Sequence, residues 1–191
     1  MSKHLGFLMD MVNCNNCKTC EVACKMERRL PYGIKWRQVR VNEYARGKIF
    51  EQGFLPMSCN HCEKPVCMEV CPVSAYSVDK DTGIVLQDAA LCIGCVSCVD
   101  ACPYGAPVHD NDINKTGKCD FCIDRLKAGL TPACVETCPN NALLCGPMDV
   151  LTTEAKKRGG GYQAINNAAI TPNPKTTGPR MLICPTANSR A

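Results

Sequence analysis

The chemistry of this chain is concentrated in one stretch, Cys92-Ile93-Gly94-Cys95-Val96-Ser97-Cys98-Val99-Asp100-Ala101-Cys102-Pro103. Three thiols sit two residues apart, and a fourth follows three residues later, directly before a proline. Thiolates are the natural ligands of soft metal centres. The spacing C-x2-C-x2-C-x3-C-P is that of a run in which three cysteines hold one 4Fe-4S cluster and the fourth reaches a neighbouring cluster. Gly94 fits the tight backbone needed between ligands, because glycine reaches φ values that other residues avoid. Pro103 cannot continue a helix and turns the chain away.

The pattern recurs. Cys14, Cys17, Cys20 and Cys24 repeat the same spacing. Cys59, Cys62, Cys67 and Cys71, followed by Pro72, widen the middle interval. Cys119, Cys122, Cys134 and Cys138, followed by Pro139, widen it much further. Each cluster takes four thiolates, so these four groups match four 4Fe-4S clusters with no ligand left over. Two other uses of the thiols compete at this point. Zinc takes four cysteines from two separate C-x2-C pairs, which suits the group at 119–138 better than the triplets at 14–20 and 92–98. Disulfides require an oxidising compartment.

Apolar content is ordinary, but aromatic residues make up only 5% of the chain, and the 18 cysteines of the 191 residues supplement that thin core. The start, Met1-Ser2-Lys3-His4-Leu5-Gly6-Phe7, shows neither a long apolar segment nor a twin arginine, so no signal peptide is expected. No run reaches the roughly 18 apolar residues of a membrane span. The net charge of +4 reads as a solvated surface rather than a nucleic-acid footprint. Cys145 and Cys184 fall outside the groups and read as small buried apolar residues. His61, between Cys59 and Cys62, is either a hydrogen-bonding or charged neighbour of a metal centre or a solvent-facing loop residue. Lys25 stands where the other groups carry proline; it is either a cation beside a cluster or a solvated side chain. His4 and His109 read as plain surface or strand residues, and the run Lys156-Lys157-Arg158 as an exposed helix end. No nucleophile–base pair, phosphate loop or carboxylate pair is evident, so the chain itself is expected to move electrons rather than to catalyse.

The elements that must carry these groups are short. A strand is expected over Leu5–Met11 and a helix over Thr19–Arg29. Strands over Trp36–Tyr44 and Ile49–Met57, with a turn at Arg46-Gly47, form an inserted hairpin. Ser74–Asp79 and Gly83–Gln87 form another hairpin around Asp81-Thr82-Gly83. Pro107–Asp110 is a strand candidate, Asn111–Gly117 a loop, and Phe121–Lys127 a helix stopped at Gly129. From Leu151 onward, Gly159-Gly160-Gly161 and Pro172, Pro174, Pro179 and Pro185 argue against long regular elements. The expected class is α+β, with two bacterial ferredoxin-like modules, each carrying two 4Fe-4S clusters, the inserted β-hairpin and an irregular C-terminal arm.

The segments CNNCKTCEVAC at 14–24, SCNHCEKPVCMEVC at 58–71, CIGCVSCVDACPYGAP at 92–107 and KCDFCIDRLKAGLTPACVETCP at 118–139 resemble the four-cluster iron–sulfur subunits of molybdopterin oxidoreductases, above all those of the dimethyl sulfoxide reductase branch. Cys145-Gly146-Pro147 and Pro185-Thr186-Ala187-Asn188-Ser189-Arg190 resemble them too. The resemblance implies that group one pairs with group four and group two with group three. One cluster then takes Cys14, Cys17, Cys20 and Cys138, and a second takes Cys24, Cys119, Cys122 and Cys134. A third takes Cys59, Cys62, Cys67 and Cys102, and a fourth takes Cys71, Cys92, Cys95 and Cys98. The implied modules are 1–33 with 111–150, and 58–110, with the hairpin at 34–57 and an arm at 151–191 that contacts a partner.

The same resemblance implies an electron relay between a quinol-linked membrane anchor and a catalytic subunit carrying bis-molybdopterin guanine dinucleotide. The expected location is peripheral to the cytoplasmic membrane, on the cytoplasmic side or on the periplasmic side after co-export with the catalytic subunit. A polyferredoxin-type subunit of a formate dehydrogenase or hydrogenase is the alternative, and a structural zinc protein is a third.

Overall fold

The computed structural model describes residues 4–46, 49–158 and 177–184. Its organising strand is β1 (Leu5–Asp10), whose run LGFLMD is almost wholly buried. β8 (Leu143–Pro147) pairs with it antiparallel, setting Cys145 opposite Phe7, and β9 (Met181–Cys184) pairs with it parallel, setting Met181 opposite Phe7. A helix, α6 (Met148–Lys157), covers this sheet: Leu151 and Ala155, one helical turn apart, pack on Leu8 and Leu182.

The remaining sheets are hairpins. β2 (Gln38–Arg46) pairs with β3 (Ile49–Met57) from Gln38 opposite Met57 to Arg46 opposite Ile49, as the inserted hairpin requires. The expected turn residue Gly47 lies outside the described residues. β4 (Tyr76–Val78) pairs with β5 (Val85–Gln87), and Gly83 turns between them at φ 71°. β6 (Val108–Asp110) pairs with β7 (Lys115–Gly117).

Helix lengths follow the prolines. α2 (Val66–Glu69), α3 (Ser97–Ala101) and α5 (Ala133–Glu136) span only four or five residues. Each stops before a Cys-Pro pair, whose ring excludes the preceding residue from helix. Group one has Lys25 in place of proline, and α1 (Thr19–Glu27) runs on for nine residues. α4 (Ile123–Lys127) ends toward Gly129, at φ 75°.

Two expectations are corrected. Lys115–Gly117, expected as loop, is strand β7, because pairing with β6 outweighs its polar sequence. The irregular arm expected from Leu151 instead continues α6 through Lys157 and returns as buried β9. Leu151 and Ala155 give that helix an apolar face, and Met181–Cys184 is an apolar run that completes the sheet. Residues 159–176 and 185–191 of the expected arm lie outside the described residues.

Candidate iron–sulfur sites

Each C-x2-C loop makes the same turn. The residue before the second cysteine is left-handed in all four groups: Asn16 at φ 59°, His61 at 43°, Gly94 at 72° and Phe121 at 62°. Only glycine adopts this conformation freely. In groups one and three the residue after the second cysteine, Lys18 at φ 60° and Val96 at 57°, is left-handed too and opens α1 and α3. A β-branched residue in this region is strained, and such strain gathers at functional sites. Alternation of left- and right-handed residues turns successive amide N–H groups to one side, into a concavity that accepts negative charge.

Several amides do reach sulfur. Ala75 donates to Cys71 Sγ at 3.3 Å, Thr116 to Cys92 Sγ at 3.4 Å and Phe121 to Cys119 Sγ at 3.4 Å. The Thr19 hydroxyl donates to Cys17 Sγ at 3.3 Å and holds that exposed thiol below its usual range; Ser97 does the same for exposed Cys95.

Cysteines from distant groups share walls. Cys14, Cys17 and Cys20 line one cavity with Cys138. Cys59, Cys62 and Cys67 line another with Cys102. Cys24, Cys119, Cys122 and Cys134 interact electrostatically: burial pushes the Cys24 thiol up to about 12, and Cys134 and Cys122 add to the rise. Cys119 is pushed well up by burial, with further contributions from Cys24 and Cys134. Cys71 packs with Cys98 and Cys67 around Tyr76; Cys92 is buried and Cys95 exposed on the same loop. Burial likewise pushes Cys20 and Cys67 up to about 12 and Cys62 to about 11. Buried thiols, apolar walls and inward amides fit a 4Fe-4S cluster as a donor set. Loading one must displace the thiol protons.

Ion pairs tie group one to group four. Arg28, on α1's trailing end, reaches Asp120 at 3.0 Å and Asp124 at 2.9 Å, and Arg125 reaches Glu27 at 3.3 Å. The lead-in to Cys14 is fixed by buried Asp10, whose carboxylate accepts from the Val12 and Asn13 amides and from Arg158 at 3.2 Å. Arg158 is therefore a partner of the first loop rather than free surface.

Among the flanking residues, His61 is 1% exposed; its Nδ1 accepts from the Val85 amide at 3.1 Å, and its ring lies edge-on to Phe121. Burial first, then the Lys118 ammonium, holds its pKa well below the usual imidazole value, so it is neutral at physiological pH. Lys25 Nζ donates to the Pro31 carbonyl at 2.5 Å and to the Ile34 carbonyl at 3.4 Å. His4 is exposed and His109 half-buried on β6. Cys145 and Cys184 lie in β8 and β9, packed into the core clusters.

Three buried cations among the described residues, Arg37, Lys118 and Arg180, were not singled out by the sequence reading. Arg37, 1% exposed, donates to the Pro56 carbonyl at 2.7 Å and Ser58 Oγ at 2.8 Å and lies 4.7 Å over the Phe7 ring. Its charge partly offsets the burial of the Cys20, Cys24 and Cys119 thiols. Lys118, 3% exposed, donates to the carbonyls of Val85 and Cys119. Its position directly before Cys119 was the available sequence signal; nothing local marks Arg37.

Comparison with known proteins gives a consistent result. Residues 50–148 match the 4Fe-4S dicluster domain family, and residues 13–27 match a 4Fe-4S binding domain. The chain is 41% identical to the B polypeptide of the anaerobic dimethyl sulfoxide reductase of Escherichia coli (strain K12), across 100% of this chain and 93% of that one. It is also 41% identical to the B polypeptide of the tetrathionate reductase of Salmonella typhimurium, over 74% of this chain and 57% of that one. The thiosulfate reductase electron transfer subunit of Salmonella typhi is again 41% identical, over 74% and 75% respectively.

Proposed function

The chain belongs to the 4Fe-4S dicluster family, together with the B polypeptides of anaerobic dimethyl sulfoxide reductases, and on that footing we propose a four-cluster electron relay within a respiratory reductase. It is an iron–sulfur electron-transfer subunit and is not catalytic by itself. When bound, each cluster accepts and passes on one electron. The protein supplies the thiolates, dry walls around them and amides that favour their negative charge. The reading assigns Cys14, Cys17, Cys20 and Cys138 to cluster one. Cluster two takes Cys24, Cys119, Cys122 and Cys134, cluster three takes Cys59, Cys62, Cys67 and Cys102, and cluster four takes Cys71, Cys92, Cys95 and Cys98. The observation that carries it is the sharing of each described cysteine cavity between three thiols of one group and one from a distant group.

An order for the relay follows. The Cys20 thiol is raised by burial and then by Cys134, which links clusters one and two; Cys119 is affected by Cys59, linking two and three; Cys67 packs with Cys71 and Cys98, linking three and four. The two ends carry the exposed thiols Cys17 and Cys95. Near them in sequence are exposed apolar residues, Val12 and Val22 at one end and Leu91 and Ile93 at the other. These ends are the proposed docking faces for a catalytic subunit holding bis-molybdopterin guanine dinucleotide and for a quinol-linked membrane anchor. Among the described residues no helix is long and apolar enough to cross a membrane, in keeping with a peripheral subunit.

Paired substitutions test the assignment. Cys24→Ser with Cys119→Ser is expected to damage one cluster, and Cys24→Ser with Cys14→Ser to damage two. Electron paramagnetic resonance of the reduced complex counts them. The reverse result would overturn the crossed arrangement.

A further inference from the structure

Among the described residues, Lys118 is a buried cation without an acidic partner. Its side chain lines the cavity shared by Cys59, Cys62, Cys67 and Cys102. Its ammonium donates to the carbonyls of Val85 and Cys119. Among the described residues no carboxylate pairs with it, and the cavity wall contains none. Desolvating an ammonium is costly unless a negative charge faces it, and carbonyl dipoles supply only part of that compensation. The charge is felt in the cavity: it offsets part of the burial that raises the Cys67 thiol. A cubane held by four thiolates is net negative, and reduction adds a further negative charge. A fixed cation in the wall stabilises the reduced form more than the oxidised form.

We propose that Lys118 is a potential-setting residue, a positive charge built into the wall of the third cluster site that raises that cluster's reduction potential. The proposal rests on the cluster assignment above. Lys118 acts through space on the cluster and is not a ligand. Because its ammonium also holds the carbonyl of Cys119, a ligand assigned to the second cluster, it stands at the step between the second and third sites. Without it the third cluster would be harder to reduce than it is with the cation in place, which would slow transfer at that step.

The test uses the full-length chain, isolated anaerobically with its clusters, carrying Lys118→Met, Lys118→Gln or Lys118→Arg. Iron is counted, and each cluster is titrated by electron paramagnetic resonance against ambient potential. In both neutral variants, with iron unchanged, one cluster is expected to show a tenfold or greater fall in its reduced-to-oxidised ratio at fixed potential, about 59 mV for one electron. Lys118→Arg, which keeps the charge, is expected to stay near the parent. The affected signal must be the one altered by Cys102→Ser. Neutral variants with full iron and unmoved potentials overturn the proposal while leaving the relay intact. A shift in a signal that Cys102→Ser leaves alone also overturns it. If the neutral variants lose one cluster and Lys118→Arg keeps it, the counter-charge role is upheld. If Lys118→Arg loses it as well, Lys118 is a packing residue and the proposal falls. A parent chain without four titrating clusters would instead refute the relay reading itself.

Discussion

Gly94 offers a way to separate two costs that glycine substitution usually merges. It sits between Cys92 and Cys95 at φ 72°. A Cβ there would lie 2.4 Å from the Asn114 carbonyl oxygen, about an ångström inside ordinary contact. Asn114 is itself left-handed, at φ 50°, in the turn between β6 and β7, so its backbone has little room to retreat. Gly129, at φ 75°, has nothing within 4 Å of the same added atom. Ala at Gly129 therefore incurs only the left-handed backbone cost, about 1–2 kcal/mol. Ala at Gly94 incurs that and an overpacking cost of about 1–3 kcal/mol, roughly 2–5 kcal/mol together.

For a chain of this size, 1 kcal/mol shifts the midpoint of thermal loss by roughly 2–4 °C. Gly94→Ala should thus lose its visible cluster absorbance several degrees below Gly129→Ala at one heating rate. The damage should also be local. Displacing Cys92 and Cys95 should weaken or convert one cluster signal and leave three, whereas Gly129→Ala should keep all four. Equal loss temperatures and equal iron in the two variants would refute the argument that the Asn114 contact, rather than φ alone, demands glycine at 94.

Cluster loading should depend on pH with a definite sign. The cluster-free thiols of Cys20, Cys24 and Cys67 are raised to about 12, so the cluster-free fold favours them neutral. That stabilisation is complete below the ordinary thiol range and is lost as pH climbs through the raised values. Ligation needs the thiolates, so reconstitution with iron and sulfide should strengthen as pH rises from 7 to 9 and should release protons measurable by calorimetry in buffers of different ionisation enthalpy; pH-independent loading would contradict it. Leu182→Ala, at a fully buried β9 position, should cost about 2–5 kcal/mol, while Val150→Ala on the exposed side of α6 should stay within about 0.5 kcal/mol. Denaturant unfolding followed by cluster absorbance distinguishes the two, and equal midpoints would mean that β9 is not part of the core.

What could be read from sequence was whatever a local rule encodes. Cys-Pro pairs stop α2, α3 and α5, and the absence of proline after Cys24 lets α1 continue. Gly83 and Gly129 mark a hairpin turn and a helix end, as glycine should. Asn16, His61 and Phe121 adopt the turn of Gly94 with no compositional hint, because the surrounding loop imposes it. β7 and β9 were hidden for a related reason: Lys-Thr-Gly and Met-Leu-Ile-Cys acquire strand character only from partners that are far off for β9, which pairs with β1. The buried charges were hidden because burial is a tertiary property; Lys25, read as either a cation beside a cluster or a solvated side chain, bonds the Pro31 carbonyl.

The C-terminal segment illustrates how the chain ties its cysteine groups together. β9 pairs in parallel with β1, and Met11 donates to the Cys184 carbonyl at 2.9 Å just before the loop that carries Cys14. A few residues earlier, the Glu63 and Lys64 amides donate to Gly178 and Thr177, and Arg180 donates from its backbone to Asn60 and from its guanidinium to His61. Thr177 lines the cavity of Cys59, Cys62, Cys67 and Cys102. Eight residues therefore bond both to the strand feeding group one and to the loop of group two, chiefly through main-chain hydrogen bonds. Those bonds are hard to break without leaving buried polar groups unpaired, so they fix separations more firmly than apolar packing would. A relay depends on constant distances between its centres, and this segment, although it follows the last cluster ligand by dozens of residues, holds two of the proposed sites in register.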